Sequence, residues 1–364
     1  SLWLRLLVFW FVIFGVFPVM SGRHRQTARR TVALHIETVQ APITSRRHAD
    51  ALERLSVWLR SNGINTPLSI LVHIPSIVDG VATAFGHMLY RNDEPYYKFV
   101  YTITGLQQFH VPLKRQLTYT WELAKLWQTI EPTMHRVPVP ESVVLSMFSV
   151  CILFEWWRFG ALLLIMFYGM FRPVEPLTAV RANLVLPSDL LKEACERFYL
   201  RILKPKTGGR GGAREQYGTI EISWVCNFVS AVFSGRPRSE RLWPASAVAF
   251  RRRWDRLLSV LGIPSRLYTP GGLRGGGAVR HFELHRDLPR LMWDMRLQNV
   301  TTLNHYLQEV VSSTSICSIP FASRSKLTIF QNAAQPLAEA AGILLKSKCD
   351  KSFRKLLATL TFET

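Results

Sequence analysis

The sequence predicts a mainly α-helical protein with a small β-hairpin or sheet, an α+β chain divided into two domains. Three observations lead to this prediction. Apolar residues recur at helical spacing through residues 46–131. A linker stretch, residues 132–141, which includes Pro138 and Pro140 and has no amphipathic period, then separates that region from a more apolar one. The second region contains two β-branched stretches around a glycine-rich tip, between residues 199 and 224, which is typical of a hairpin.

Length, charge and cysteine usage limit the classes of function. A chain of 364 residues is long enough to bury two full cores. Its 45 Lys and Arg against 25 Asp and Glu give a net charge of +20, which favours a polyanionic partner, nucleic acid first and an anionic membrane surface second. The scattered cysteines form no CxxC pair, which argues against a zinc module or a disulfide framework. In His281-Phe-Glu-Leu-His285 the glutamate is one place later than the metalloprotease pattern requires, so no metal or other cofactor is expected.

Residues 1–45 are set apart from the folded domains. Residues 2–20 form an apolar run broken only by Arg5, and a basic arm follows. Hydropathy leaves two interpretations of the run: a membrane anchor with a cytoplasmic basic flank, or residues from outside the true domain.

Residues 46–131 predict a small all-helical bundle. The first helix has an apolar face and ends at residues 61–63, Ser-Asn-Gly, which is a typical helix stop. Two more helices are expected over residues 77–90 and 96–110, and a fourth follows Pro112.

The second domain, residues 142–312, begins with an apolar block that extends to residue 171. A membrane span is one interpretation of this block. Glu155 and Arg158 lie three residues apart within it and can pair on a helix face, and Gly160 offers a break. Two buried helices are therefore the preferred interpretation.

A strand-like stretch follows over residues 179–187, and the hairpin then uses residues 199–207 and 216–224. An amphipathic helix is expected over residues 246–261, and its basic side is either a solvated face or one that contacts phosphates. The basic residues concerned are Lys204, Lys206 and Arg210 at the hairpin tip, and Arg251, Arg252, Arg253 and Arg256 on the helix.

The stretch from Tyr268 to Val310 organises the rest of this domain. It opens with a glycine-crowded turn that contains Arg274, and the glycines indicate a close approach of backbone to something else. Tyr306 lies near its end, with Leu303 and Leu307 at helical spacing around it. Residues 313–364 are expected to form a tail with a basic amphipathic helix from Leu337 to about Leu360.

Four motifs, in this order, resemble those of the tyrosine recombinase (phage-integrase) family in a divergent, mobile-element form. FYGMFRPVEPL resembles the first arginine box and LKPKTGG the hairpin with the catalytic lysine. TPGGLRGGGA resembles the second arginine box, and MRLQNVTTLNHYLQE the tyrosine box. The resemblance is strongest over residues 142–310.

The resemblance implies a helical core-binding (SAM-like) domain and a catalytic domain that together clamp double-stranded DNA. The implied activity is site-specific recombination or integration through a covalent 3′-phosphotyrosine. The resemblance also implies roles for particular residues: Tyr306 as nucleophile, Arg172 and Arg274 as phosphate-binding arginines, Lys206 or alternatively Lys204 as general acid, and Glu175 as a supporting residue.

Two positions depart from the family pattern. Gly271 stands where the family usually has histidine, and Leu297 where it usually has histidine or tryptophan. Water or a neighbour such as His305 would have to substitute, so turnover is expected to be slow or absent. The alternatives are a catalytically decayed DNA-binding protein of the same fold and a membrane protein. An active enzyme is expected to act as a DNA-bound homo-tetramer in the nucleus or nucleoid, with the segment after Tyr306 a candidate for contacts between protomers.

Overall fold

The computed structural model describes residues 42–132, 136–190, 197–203, 215–304 and 306–347. The apolar run at residues 2–20 lies outside them. The chain divides into two compact units at residues 133/134. The described residues are mainly helical with one small antiparallel sheet, which confirms the predicted secondary-structure class.

The first unit is a helical bundle, and its helices follow the predicted order. α1 ends at Ser61 because Gly63 adopts a φ of 78°, a left-handed conformation that glycine tolerates. The inward faces share one core that includes Leu55, Phe85 and Trp127. The helices are α1 (Pro42–Ser61), α2 (Leu68–Leu71), α3 (Pro75–Arg91), α4 (Tyr96–Phe109) and α5 (Thr118–Ile130).

A buried carboxylate joins α3 to α5. Asp79 accepts hydrogen bonds from the backbone N–H groups of Tyr119 and Thr120, at 3.0 and 2.9 Å, and from the Thr120 hydroxyl at 2.6 Å. Backbone N–H groups in the first turn of a helix have no partner within it. An N-cap side chain usually comes from the residue just before the helix. Here Asp79, which lies on α3, caps the first turn of α5 instead.

The apolar block of the second unit forms two buried helices, α6 (Glu141–Leu153) and α7 (Trp157–Tyr168). Most of their residues belong to the main hydrophobic core or pack against it, which confirms the preferred interpretation of this block. In the part of the chain that the structure describes, no helix combines the length and the apolar character needed to cross a membrane.

The break between these helices differs from the expected one. It falls at Glu155, which has a φ of 55°, whereas Gly160 lies inside α7. Glu155 and Arg158 therefore do not share one continuous helix face. Arg158 forms an ion pair with Glu240, far along the chain.

The predicted hairpin is present as part of a three-stranded antiparallel sheet. β1 (Leu184–Val185) pairs with β2 (Phe198–Ile202), and β2 pairs with β3 (Gln216–Ile220). Alternate side chains of β2 are buried, as expected for a sheet with one face on the core. β3 ends at Ile220, before the predicted residue 224, because residues from Ser223 onward form a helix. The basic tip, with Lys204, Lys206 and Arg210, lies outside the described residues.

The remaining helices of the second unit follow α7 in the chain. α10 matches the predicted amphipathic helix and begins at an N-cap serine, Ser246, whose hydroxyl accepts the N–H of Ala249 at 3.1 Å. The helices are α8 (Val174–Thr178), α9 (Ser223–Phe233), α10 (Ala247–Val260), α11 (Gly272–His285), α12 (Leu288–Asp294), α13 (Val300–Asn304), α14 (Glu309–Ser315) and α15 (Phe321–Ser347).

The glycine-rich segment is helix and not the turn that was expected. It forms the first two turns of α11. A Cβ on Gly276 would overlap the carbonyl oxygen of Val139, and one on Gly277 would overlap that of Phe167. Glycine lowers helix propensity by about 1 kcal/mol, but here it allows two backbones to touch. The close backbone approach inferred from these glycines is confirmed.

The C-terminal helix begins earlier than expected, at Phe321, and Pro336 lies inside it. Small buried residues, such as Ala334 and Ala341, let α15 approach the core closely. Two serines of α6 bond to it: the Ser146 hydroxyl donates to the Leu327 carbonyl at 2.9 Å, and the Ser149 hydroxyl donates to the Phe330 carbonyl at 2.6 Å.

Candidate functional site

Arg172 and Glu175 lie at a sharp change of direction after α7. The chain turns at Met170, which has a φ of 49°, and Arg172 follows just before α8. The Arg172 backbone N–H and Nη1 donate to the two carboxylate oxygens of Glu175, at 2.9 and 3.0 Å. The Glu175 side chain is only 4% exposed. Glu175 therefore holds both the backbone and the guanidinium of Arg172.

Arg274 lies one turn into α11 and is almost fully buried. Its Nη1 donates to the Met170 carbonyl at 2.6 Å, and its Nη2 donates to the Met295 carbonyl at 2.7 Å. Its guanidinium carbon lies 5.3 Å from the centroid of the Tyr306 ring. Burial lowers the pKa of Arg274, and the nearby charge of Arg172 adds to this lowering, while Tyr306 and Glu175 act in the opposite direction.

Tyr306 follows a helix end and does not lie within a continuous helix, as had been expected. α13 ends at Asn304, and the Tyr306 N–H donates to the Leu303 carbonyl at 2.8 Å in a turn. Val310, four residues after Tyr306 and so on the same face of a continuous helix, is 73% exposed. Leu303 and Leu307 do pack with the Tyr306 ring in a small separate core, which explains the apparent period. The neighbouring His305 lies outside the described residues.

A third arginine, Arg296, belongs to this site and was missed in the sequence. Its side chain is 7% exposed, and its Nη2 lies 3.3 Å from the Met170 carbonyl and 3.6 Å from Oε2 of Glu175. Its guanidinium carbon lies 4.6 Å from the centroid of the Phe171 ring. The sequence offered one indication of this role: Arg296 stands alone between the apolar residues Met295 and Leu297, and Leu297 is a position that differs from the family pattern.

The two departures from the family pattern have structural counterparts. Leu297 packs against the small core beside Tyr306. Gly271 precedes α11, and a Cβ on it would overlap the guanidinium of Arg136, an exposed residue. The space next to position 271 is therefore already occupied by the Arg136 side chain.

The four arginines of α10 differ in their surroundings. Arg251 pairs with Asp255, Nε to Oδ2 at 2.9 Å. The guanidinium of Arg253 lies over the rings of Trp156 and Trp243, 4.8 and 5.2 Å from their centroids. Arg252 and Arg256 are exposed. Only these two project from α10 with the exposure expected of a phosphate-contacting residue.

The candidate site consists of three arginines around Glu175, with Tyr306 beside one of them. The arginines are Arg172, Arg274 and Arg296, and Tyr306 lies beside Arg274. One carboxylate stands against three guanidinium groups, so the set carries an excess of positive charge. The nearby carboxylate of Asp294 contacts His281 at 2.9 Å and Arg290 at 3.9 Å. Planar guanidinium groups with a positive excess suit a phosphate or another oxyanion.

No family model matches this chain, and no curated protein sequence matches it. The function is therefore inferred from the residues themselves.

Proposed function

We propose that this protein cuts and rejoins DNA, with Tyr306 as the nucleophile and Arg172 and Arg274 as the phosphate-binding groups. The observation that carries the proposal is the position of Arg274 over the Tyr306 ring, within the electrostatic reach of Arg172. These residues come from three distant parts of the sequence, and each stands at the matching place of a different recombinase-like motif.

The chemistry requires a phenol and positive charge in one place. The Tyr306 oxygen attacks the phosphorus of a DNA phosphodiester, the bond from phosphorus to the 5′ oxygen breaks, and a 3′-phosphotyrosine forms. The phenol loses its proton and the departing 5′ oxygen gains one. A phenol has a pKa of about 10 in water, and nearby cations favour its ionised form. The arginines also offset the charge that accumulates on the phosphate oxygens.

The proton donor for the 5′ oxygen is assigned by family resemblance. Lys206 is proposed for this role, with Lys204 as the alternative. Rejoining is the reverse reaction, in which a 5′ hydroxyl attacks the phosphotyrosine and releases Tyr306. Double-stranded DNA is the proposed partner, bound by a homo-tetramer, and the proposed role is site-specific recombination or integration of a mobile element in the nucleus or nucleoid.

A second candidate is a DNA-binding protein whose catalysis is lost. The hydrogen bonds of Arg274 favour it, because both terminal nitrogens of this guanidinium donate to backbone carbonyls. Gly271 and Leu297 favour it as well, since neither can transfer a proton.

A suicide-substrate assay separates the two. Nicked DNA, as candidate sites or a random pool, is incubated with wild-type protein, Tyr306→Phe and Arg274→Lys. Tyr199→Phe serves as the matched control, because Tyr199 is also half-buried but lies on β2. The expected result is a denaturation-resistant protein–DNA adduct with wild type and Tyr199→Phe, and none with Tyr306→Phe.

Salt-sensitive DNA binding without an adduct would instead identify the decayed DNA-binding protein. If the protein neither bound DNA nor formed an adduct, both candidates would be rejected.

A further inference from the structure

Arg296 is costly to the fold in two ways. Burying a cation is unfavourable unless it is fully paired, and the Nε of Arg296 has no hydrogen-bond partner among the described residues. Its φ of 58° is a left-handed conformation, which is unfavourable for a residue with a side chain. Costs of this kind persist mainly where a site requires them.

Arg181 shows what a structural arginine looks like in the same unit. Its side chain is 8% exposed, close to the 7% of Arg296. Its Nε donates to the Phe233 carbonyl at 2.9 Å, and its Nη2 donates to Asp189 at 3.0 Å. Its nitrogens are bonded, and its backbone is not among those with positive φ. In Arg296, by contrast, Nη1 and Nη2 donate to the Asp294 and Met170 carbonyls at 3.3 Å, Nε has no partner among the described residues, and φ is positive.

Besides the Asp294 carbonyl and the Phe171 ring, Arg296 contacts two groups that hold the other two arginines. The Met170 carbonyl accepts from Nη1 of Arg274 and also from Nη2 of Arg296. Glu175 binds Arg172 and is also within ion-pair distance of Arg296. Arg296 therefore links two side chains that otherwise reach the site from different elements.

This linkage also affects charge. Glu175 cannot fully neutralise Arg172 while it also faces Arg296. Burial lowers the pKa of Arg296 to about 10, and Glu175 opposes this, so Arg296 remains a cation at neutral pH. Without Arg296, Glu175 would neutralise Arg172 alone, and the excess positive charge of the site, which attracts a phosphate, would be smaller.

We infer that Arg296 is a positioning residue of this site, which holds Glu175 and the Met170 carbonyl so that Arg172 and Arg274 act on one phosphodiester. The inference rests on the proposed function. It adds a residue that none of the four motifs assigns, and it makes the site a set of three coupled arginines.

The test compares Arg296→Gln and Arg296→Lys with wild type, and Arg181→Gln is the matched control for loss of a buried arginine. Single-turnover adduct formation on nicked DNA is measured at saturating DNA, together with the dissociation constant and the melting temperature. We expect both Arg296 variants to lose about 10- to 100-fold in rate, the range for residues that orient a reacting group through another. Arg296→Lys keeps the positive charge at this position. It therefore provides a folded variant for the test if Arg296→Gln fails to fold. Arg181→Gln should lower the melting temperature without this loss of rate.

A double-mutant cycle adds a readout that a merely structural role would not move. The rate losses of Arg296→Gln and Arg172→Gln should be far from additive, because both act through Glu175. Wild-type rates in both Arg296 variants, with an adduct that still depends on Tyr306, would overturn the inference and leave the proposed function intact.

Inorganic phosphate tests the same inference if no adduct forms. It should raise the melting temperature of wild type and of Arg181→Gln but not that of Arg296→Gln. Equal increases in melting temperature for wild type and Arg296→Gln would reject the role of Arg296. If wild type formed no adduct and phosphate did not raise its melting temperature, the proposed function would be rejected as well.

Discussion

Gly276 and Val139 are in backbone contact: no side chain fits between the Gly276 Cα and the Val139 carbonyl oxygen. Gly277 stands in the same relation to the carbonyl of Phe167. Through these contacts α11 rests directly on α7 and on the chain just before α6. Because Arg274 lies one residue before this glycine run, the contacts fix the position of its guanidinium.

Alanine at these two glycines should destabilise the second unit. We expect Gly276→Ala and Gly277→Ala each to lower the free energy of unfolding by about 1–3 kcal/mol, the cost of overpacking a dense core. Gly275→Ala is the matched control in the same helix, because its Cβ would meet only Pro138, at 3.5 Å. That variant should be neutral or gain up to about 1 kcal/mol, since alanine is the better helix former. Urea unfolding measures the free energy of unfolding of all three variants. Equal free energies for Gly275→Ala and Gly276→Ala would show that the contact between Gly276 and the Val139 carbonyl does not stabilise the unit.

Gly218 connects the sheet to the candidate site. A Cβ there would overlap both the Phe171 ring and Nη1 of Arg296. Gly218→Ala should therefore displace Arg296, which positions the other two arginines, and reduce the rate of adduct formation by about 10- to 100-fold, the loss expected when the reacting groups are misplaced by about an ångström. Thr219→Ala, on the exposed face of the same strand, is the control. A normal rate in Gly218→Ala with an intact fold would show that the site tolerates this displacement.

The exposed arginines of α10 should contribute to DNA affinity. The logarithm of the DNA association constant falls linearly with the logarithm of the salt concentration. If Arg252 and Arg256 each neutralise a phosphate, replacing both with alanine makes this negative slope shallower by about 1.8, or about 0.9 for each contact. Arg253→Ala should leave this slope unchanged and lower the melting temperature, because its guanidinium packs on Trp156 and Trp243. Salt titrations of DNA binding measure the slopes, and an unchanged slope in the double variant would remove α10 from the DNA-binding surface.

The Arg158–Glu240 pair should make stability depend on acidic pH. The hydrogen bond from Arg158 lowers the pKa of Glu240 below its ordinary value of 4.5, and burial opposes this. A carboxyl whose pKa is lower in the folded state stabilises the fold above its unfolded pKa, and this contribution is lost as pH falls through the folded pKa. The difference in unfolding free energy between wild type and Glu240→Gln should therefore shrink below pH 4.5. If the unfolding free energies of the two proteins differed by the same amount from about pH 7 to about pH 3, the ionisation of Glu240 would not contribute to stability.

The helices were predictable where the sequence pattern and the final environment agree. The helices of the first unit have apolar periods, and the apolar block of the second unit has a charged pair within it, and both features favour buried helices. α10 carries its own start signal in Ser246. For these elements local preference and tertiary packing lead to the same structure.

The site was predictable only in part. Arg172, Glu175, Arg274 and Tyr306 were found through motifs, and the structure places them together. The helical state of the glycine run was not predictable, because local preference favours a turn and only the backbones of Val139 and Phe167 reverse it. Arg296 was missed because its partners lie more than a hundred residues earlier in the chain.

The packing of α15 on α6 has a consequence for synthesis of the chain. Ser146 bonds to the Leu327 carbonyl across 181 residues, and Ala341 fills the same core. At 5–20 residues per second, the ribosome needs roughly 10–40 s to proceed from Ser146 to Ala341. Throughout that interval the α15-facing side of α6 has no partner helix, so the second unit can close its core only after nearly all of its residues have been made. Nascent chains of this protein are therefore expected to depend on chaperones that bind apolar helices, and the first unit can fold while the second is still being synthesised.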